Sequence, residues 1–269
     1  MKVITRYGAI AVIAVLLAPL FSDNHAFSLQ RSCLRAHTVP LETRGMSAFP
    51  PVVLWAWERP EDLRFLDPNQ TGVAFLAGTI QLGPHGMDFR PRMQLLKVSA
   101  EVRLVAVVRI ETSGAVLNPE IARKVAAKIA RAGRMRGIVA VQVDFDATAT
   151  QRAFYRDLLL ELRRQLPPAM PISITALTSW CIGDRWMAGL PIDEAVPMLF
   201  RMGVGQAEVK SWMQSGRDFR EATCRTSLGV SLDEPWPQLP PARRLYAFSP
   251  APWTKRSLET LTKEFKVWQ

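Results

Sequence analysis

The 269-residue chain carries 34 Lys and Arg against 24 Asp and Glu, a formal net charge of +10. With 48% hydrophobic and 22% charged residues it has the make-up of a globular chain, which excludes a disordered or collagen-like protein, and three cysteines are too few for a disulfide-dense scaffold. The positive surplus admits an anionic partner, but the basic residues are scattered over expected helix surfaces (Arg123, Lys124, Lys128, Arg131; Arg152, Arg156, Arg163, Arg164) rather than gathered in a stripe with aromatics between them, so no nucleic acid is expected as a partner.

In chain order, Lys2 and Arg6 form a basic start, and Gly8 to Leu20 is an uncharged apolar run too short to span a bilayer as a free helix. Together they read as an export signal, residues 1–26, with Ala26 suited to precede the cleavage point and an uncleaved anchor as the alternative. The expected location is therefore periplasmic or secreted, with no stable membrane span after cleavage. Residues 27–48 read as an extended segment, and 49–269 as one domain, enough chain for one sizeable core.

Apolar runs with strand character follow at Val52 to Trp57, Val73 to Ile80, Leu104 to Ile110, Ile138 to Phe145, Ile172 to Leu177, Ala195 to Phe200, Ser227 to Leu232 and Leu245 to Phe248. Between them lie helical segments, two of them sharply marked. Pro119 to Ala132 has Asn118 as cap, Pro119 at its first position and Ile121, Val125 and Ile129 four apart, and stops before Gly133. Thr150 to Leu166 aligns Phe154, Leu158, Leu162 and Leu166 on one face and is halted by Pro167 and Pro168. Alternating strands and helices imply a parallel sheet with right-handed crossovers, and eight units imply closure into an α/β (β/α)8 TIM-type barrel. An open doubly wound sheet is the alternative; no Gly-x-Gly-x-x-Gly turn follows the first strand to support it.

The fourth run separates two chemistries. Val139, Val141, Val143 and Phe145 share one face of a period-2 strand, and Ala140, Gln142, Asp144 and Asp146 share the other. In a barrel the aliphatic face lies under the helices, and the polar face points inward toward the C-terminal mouth, where such folds keep their sites. The same alternation turns Val105, Val107, Arg109 and Glu111 inward on the third strand, and Ser227, Gly229, Ser231 and Asp233 on the seventh. The mouth thereby collects Glu111, Asp144, Asp146 and Asp233 as candidate catalytic acids, with Glu58 and Glu234 just beyond strand ends. Arg109, Gln142 and Arg201, with Trp55, Trp57, Trp180 and Trp253 around the rim, are the candidate binding residues.

Carboxylates ringed by flat aromatic faces suit carbohydrate. Glycosidic cleavage needs one protonated carboxyl to hand a proton to the leaving oxygen and one ionised carboxylate as nucleophile or base; indole faces cover the C–H side of a sugar ring. A structural ion network, with Arg109 neutralising Glu111 and Asp144, is the bland alternative for the same residues. A metal-dependent hydrolase is weakly supported, because His37 and His85 are not at ligand spacing with the aspartates; no metal and no cofactor are expected. No Gly-x-Ser-x-Gly elbow occurs. Of the cysteines, Cys181 and Cys224 fall in loops on the same side of the expected barrel, which favours that pair over three free thiols and leaves Cys33 over.

The runs Val141-Gln-Val-Asp-Phe-Asp-Ala, Ile172-Ser-Ile-Thr-Ala-Leu-Thr-Ser-Trp-Cys181 and Asp193-Glu-Ala-Val-Pro-Met-Leu-Phe-Arg-Met-Gly203 resemble an exported bacterial domain-of-unknown-function family, number 3142, for which the resemblance implies no activity. A more distant resemblance is to the barrels of glycoside hydrolase family 18, whose fourth strand carries Asp-x-x-Asp-x-Asp-x-Glu and whose sixth carries Met-x-Tyr-Asp. Asp144 and Asp146 match two of those aspartates, and Met198-Leu199-Phe200-Arg201 stands where the second motif would. Val141, Thr148, Phe200 and Arg201 depart from the pattern, Thr148 at the position of the catalytic acid, so the resemblance does not carry that family's substrate-assisted chitin hydrolysis onto this chain. The expectation is an exported glycosidase-like barrel that hydrolyses or binds a glycan or other small polar ligand; the alternative is a non-catalytic barrel binding carbohydrate or a protein.

Overall fold

The computed structural model describes residues 45–183, 185–237 and 240–267. The expected signal segment 1–26, Cys33, His37 and the extended segment up to residue 44 lie outside the described residues. The strands are β1 (Val52–Ala56), β2 (Glu61–Asp62), β3 (Thr71–Gly83), β4 (Gly86–Pro91), β5 (Leu96–Lys97), β6 (Leu104–Thr112), β7 (Ile138–Asp144), β8 (Ile172–Leu177), β9 (Glu194–Met198), β10 (Ser227–Ser231) and β11 (Arg244–Phe248). The helices are α1 (Pro119–Gly133), α2 (Arg152–Gln165), α3 (Thr178–Ile182), α4 (Gln206–Gln214) and α5 (Lys255–Val267).

Eight parallel strands run β1-β3-β6-β7-β8-β9-β10-β11, and β11 pairs back onto β1, so the sheet is a closed barrel. All eight runs expected from the sequence are strands of this barrel. Among the described residues the helical layer is less complete than a strict strand and helix alternation implies. Between β1 and β3 the chain makes only the short strand β2, which pairs with β5. The 13-residue β3 outruns the barrel and turns back at once into β4, its antiparallel partner, through a turn ending at Gly86 with φ 124°. Between β10 and β11, Pro235, Pro237, Pro240 and Pro241 remove the donors and the backbone geometry a helix would need.

The two sharply marked helices form where capping and apolar spacing place them. The Asn118 side chain accepts from the Ile121 N–H at 2.9 Å at the head of α1, and the helix runs one residue further than expected, through Gly133. A Cβ at Gly133 would stand 2.7 Å from Val141 Cγ1, so glycine lets the end of α1 close onto β7. In α2, Phe154, Tyr155, Leu158, Leu159 and Leu162 are buried against the barrel. Its entry is a 3-10 turn, Ala149–Gln151, fixed by a reciprocal capping box between Thr148 and Gln151.

The core has two layers. Outside the barrel wall, Ala106, Val108 and Ile110 of β6 and Val141, Val143 and Phe145 of β7 pack under the helices, with Ile129, Leu158 and Leu162 among their partners. Inside, Val53, Trp55, Ala74, Val105, Val107, Ala140, Val196 and Tyr246 fill the lumen, closed from below by Met46 and Phe49. The plug belongs to a 3-10 turn, Met46–Ala48, so the last residues of the segment expected to be extended fold onto the barrel. Val139, expected on the helix-covered face with Val141, is instead 39% exposed: the β6–β7 register steps from Leu104↔Ile138 to Val105↔Ala140 and leaves Val139 outside the ladder. Cys181 in α3 and Cys224 in the 3-10 turn Ala222–Arg225 form a disulfide, the pairing favoured from the sequence. Among the described residues no helix is long and apolar enough to cross a membrane.

Candidate active site

A cavity of about 360 Å³ opens at the C-terminal ends of the strands. This is at the lower end of the range of about 300–1,000 Å³ usual for small-molecule sites. Its walls differ in chemistry because the alternation of each strand delivers a different inward residue to the mouth. β6 and β7 bring Arg109, Asp144 and Asp146, and β8 brings Thr175. β1 supplies Trp55 with Trp57 just beyond it, β9 supplies Met198 with Phe200 and Arg201 in the loop just beyond it, and β11 supplies Phe248. Met202, Gly205 and Val209 complete the rim.

Asp144 is partly accessible through the cavity and accepts a hydrogen bond from Thr175 Oγ1 at 2.7 Å. Burial of its carboxyl, opposed by the Thr175 bond and reinforced by the negative charge of Asp146, pushes its pKa up to about 6. Asp146 lies two residues on and is exposed at the rim; partial desolvation raises its pKa while Arg109 pulls it back down. The Tyr155 hydroxyl is fully buried, has no hydrogen-bond partner among the described residues, and has a pKa pushed well up by burial and by both aspartates.

The aromatic side is continuous. Phe200 and Phe248 stack with centroids 6.0 Å apart at 6°, Trp57 meets Phe248 edge-on at 6.4 Å, and Trp55 lies 6.1 Å from Phe200. Trp55 is pinned from below: its Nε1–H donates to Gln142 Oε1 at 2.8 Å, and Gln142 Nε2 donates to Ser173 Oγ at 3.0 Å. Ser173 donates in turn to Glu194 at 3.1 Å, which also accepts from the Tyr246 hydroxyl at 2.7 Å and from Arg244. A polar ladder therefore runs down the lumen from the cavity floor to the buried Arg244–Glu194 pair. With every member satisfied it fixes the orientation of Trp55.

The structure brings together seven of the sequence-read residues, Asp144, Asp146, Arg109, Arg201, Trp55, Trp57 and, beneath them, Gln142. The others are placed differently. Glu111 does not line the cavity; it accepts from Gln81, pairs with Arg109 at 2.9 Å and lies 4.0 Å from Arg90, so it orients Arg109 at the rim. Asp233 is exposed and accepts from Ser231 Oγ, which with Arg201 at 3.8 Å keeps its pKa low, unlike that of a proton donor. Trp180 is not a rim residue: it packs edge-on to Trp186 at 4.9 Å in the layer outside the barrel wall. Trp253 is buried in the same layer and donates to the Trp55 carbonyl at 3.0 Å, tying the loop after β11 to β1. Thr148 caps the turn into α2.

Thr175, Phe200 and Phe248, cavity residues not singled out as site residues from the sequence, were accessible to the same period-2 reading, since Ile174 and Ala176 of β8 and Leu245 and Ala247 of β11 face outward. Among the described residues no group of three or more His, Cys, Asp or Glu side chains is arranged to hold a metal ion.

Residues 101–197 match a family model described as Domain of unknown function (DUF3142). That stretch carries β6 through nearly all of β9, hence Arg109, Asp144, Asp146 and Thr175, and stops short of Phe200, Arg201 and Phe248. No curated protein matches the chain.

Proposed function

We propose that the barrel binds and hydrolyses a glycan at this cavity, with Asp144 as proton donor and Asp146 as its ionised partner. The observation that carries the reading is a carboxyl with a pKa of about 6 on the cavity wall, two residues from a second carboxyl whose pKa desolvation raises against the opposing charge of Arg109, across from a continuous aromatic wall. Near neutral pH Asp144 exists in both protonation states, as a group must that gives up a proton and recovers it. In the proposed step the glycosidic C–O bond breaks and the Asp144 proton passes to the leaving oxygen. The anomeric carbon gains the oxygen of water, with Asp146 as nucleophile or as base. The faces of Trp57, Phe200 and Phe248 offer apolar area for the C–H side of the sugar. The N-terminal basic and apolar run, together with the disulfide, supports an exported protein acting outside the cytoplasm.

A second reading, a barrel that binds without cleaving, is favoured by Thr148, which stands where the resembled hydrolases keep an acid and is occupied in capping. Asp146→Asn separates the two. Purified protein assayed against neutral, amino-sugar and acidic polysaccharides is expected to release reducing ends, and the variant to lose about 100- to 10,000-fold of that activity with its fold intact. Saturable binding without products supports the non-catalytic barrel, and neither binding nor products from any polysaccharide overturns the glycan reading.

A further inference from the structure

Arg201 adopts a backbone conformation that is uncommon for a residue with a side chain. Its φ is 51°, in the left-handed region that non-glycine residues rarely adopt, and its N–H is clamped by both carboxylate oxygens of Glu234 at 3.2 Å each. Strain of this kind persists where the surroundings impose it, and it clusters at binding sites. The result is a guanidinium laid over the Phe248 ring, 5.1 Å from its centroid, with a 59% exposed side chain facing the cavity. Among the described residues that guanidinium makes no hydrogen bond; the carboxylate nearest it, Asp233, is 3.8 Å away and accepts from Ser231. Arg109 is different, because Glu111 holds it at 2.9 Å and both cavity aspartates share its charge.

The strand order gives this asymmetry a direction. In the closed ring β7 and β11 are four strands apart, so the aspartates and Phe248 with its overlying Arg201 occupy opposite walls. A ligand whose scissile bond lies at Asp144 extends across the cavity toward a planar, half-exposed cation whose nearest carboxylate, Asp233, stands off at 3.8 Å. A neutral sugar leaves the guanidinium donors to water; an anionic group on the sugar meets them with charge-assisted hydrogen bonds, bidentate where geometry allows.

We infer that the site takes an acidic glycan, one whose sugar carries a carboxylate or a sulfate ester seated on Arg201 above Phe248. The inference rests on the glycan reading and narrows it to a substrate class. The test compares affinities of the intact protein, by calorimetric titration, for uronate oligosaccharides and their carboxyl-reduced counterparts, and for sulfated oligosaccharides and their desulfated counterparts. At least about tenfold tighter binding of one acidic series over its neutral counterpart is expected, and the series preferred identifies the anion. In Arg201→Gln, with folding verified by circular dichroism and melting, that preference should collapse toward unity. Neutral oligosaccharides bound as well as or better than acidic ones by the wild-type protein overturn the inference and leave the glycan reading standing. A preference that survives in Arg201→Gln also overturns it. Binding of no oligosaccharide in either series removes the glycan reading and the inference with it.

Discussion

On the proposed reading Asp144 is the proton donor, and the raised pKa that suits it to that role costs stability. In the unfolded chain its carboxyl titrates near 3.8, and in the folded protein near about 6. Between those pH values the folded state retains a proton that the unfolded chain releases. Stability contributed by this group is therefore present in full below pH 4, falls as pH rises through that window and stays lower above it. The change from 3.8 to about 6 corresponds to about 3 kcal/mol at most. Asn keeps the oxygen that accepts from Thr175 and cannot ionise, so Asp144→Asn should melt higher than wild type at pH 7.5 and at the same temperature near pH 4. In the same protein glycan turnover should fall by about 100- to 10,000-fold. Urea or thermal melts at the two pH values check the first part. A variant less stable at pH 7.5 means that the carboxylate anchors the fold, and its assignment as proton donor is then wrong. The position of Asp144 was legible in the sequence because period-2 alternation decides which face it takes. Its raised pKa was not, because the burial that raises it and the Thr175 bond that opposes it arise only when other strands pack beside β7.

At the scale of the strand, small residues matter as much as charged ones. β10 turns Ser227, Gly229 and Ser231 into the lumen, and the room left at Gly229 is filled by the indole of Trp55. A Cβ at Gly229 would stand 2.9 Å from Trp55 Cη2 and 3.3 Å from the Pro197 carbonyl oxygen. Trp55 has little freedom to yield, since Gln142 holds its Nε1 and the Trp253 indole bonds its carbonyl. Gly229→Ala should therefore cost about 1–3 kcal/mol and tilt Trp55, lowering glycan affinity and altering the near-ultraviolet circular dichroism. Unchanged stability with an unchanged aromatic spectrum would show that the lumen adapts and that Trp55 is not tightly placed. The inward positions of Arg109 and Gln142 followed from alternation along their strands, and Trp55 and Trp57 were read as rim aromatics of the first run. Trp180 and Trp253 follow strand ends in the sequence as Trp57 does, but they pack outside the barrel wall, because the path of a loop beyond a strand end has no periodicity to report it. Glu111 and Asp233 were read as acids of the mouth, and neither lines the cavity. Their partners Gln81, Arg90, Ser231 and Arg201 come from other strands and loops or require a bond geometry that linear spacing does not reveal.

For the whole molecule, closure was legible because eight apolar runs recur along the chain and a parallel sheet of that size is satisfied by joining its edges. The β4 hairpin and the helix-free connection after β10 were less so: a helix was expected between strands by analogy, whereas a glycine turn and four prolines decide otherwise locally. On the β8 to β10 side the Cys181–Cys224 disulfide ties α3 to the 3-10 turn that precedes β10. It closes a segment of 43 residues that carries β9, Arg201, Met202, Gly205 and Val209, one whole flank of the cavity. Constraining a loop of that length in the unfolded chain contributes about 4 kcal/mol. Reduction, or Cys181→Ser with Cys224→Ser, should therefore lower the melting temperature by roughly 8–16 °C for a domain of this size. The flank keeps a second tether, the Arg220 N–H donating to the Cys181 carbonyl at 2.8 Å, so the reduced protein should remain folded at 25 °C. With the flank loosened, Arg201 loses its fixed place over Phe248, and the preference for acidic over neutral glycans should shrink before overall folding is lost. Melting and glycan titration in parallel, with and without reductant, check both halves. A melting temperature indifferent to reduction would show that the crosslink stabilises nothing, and an undiminished preference in the reduced protein would show that Arg201 is positioned by Glu234 and Phe248 alone.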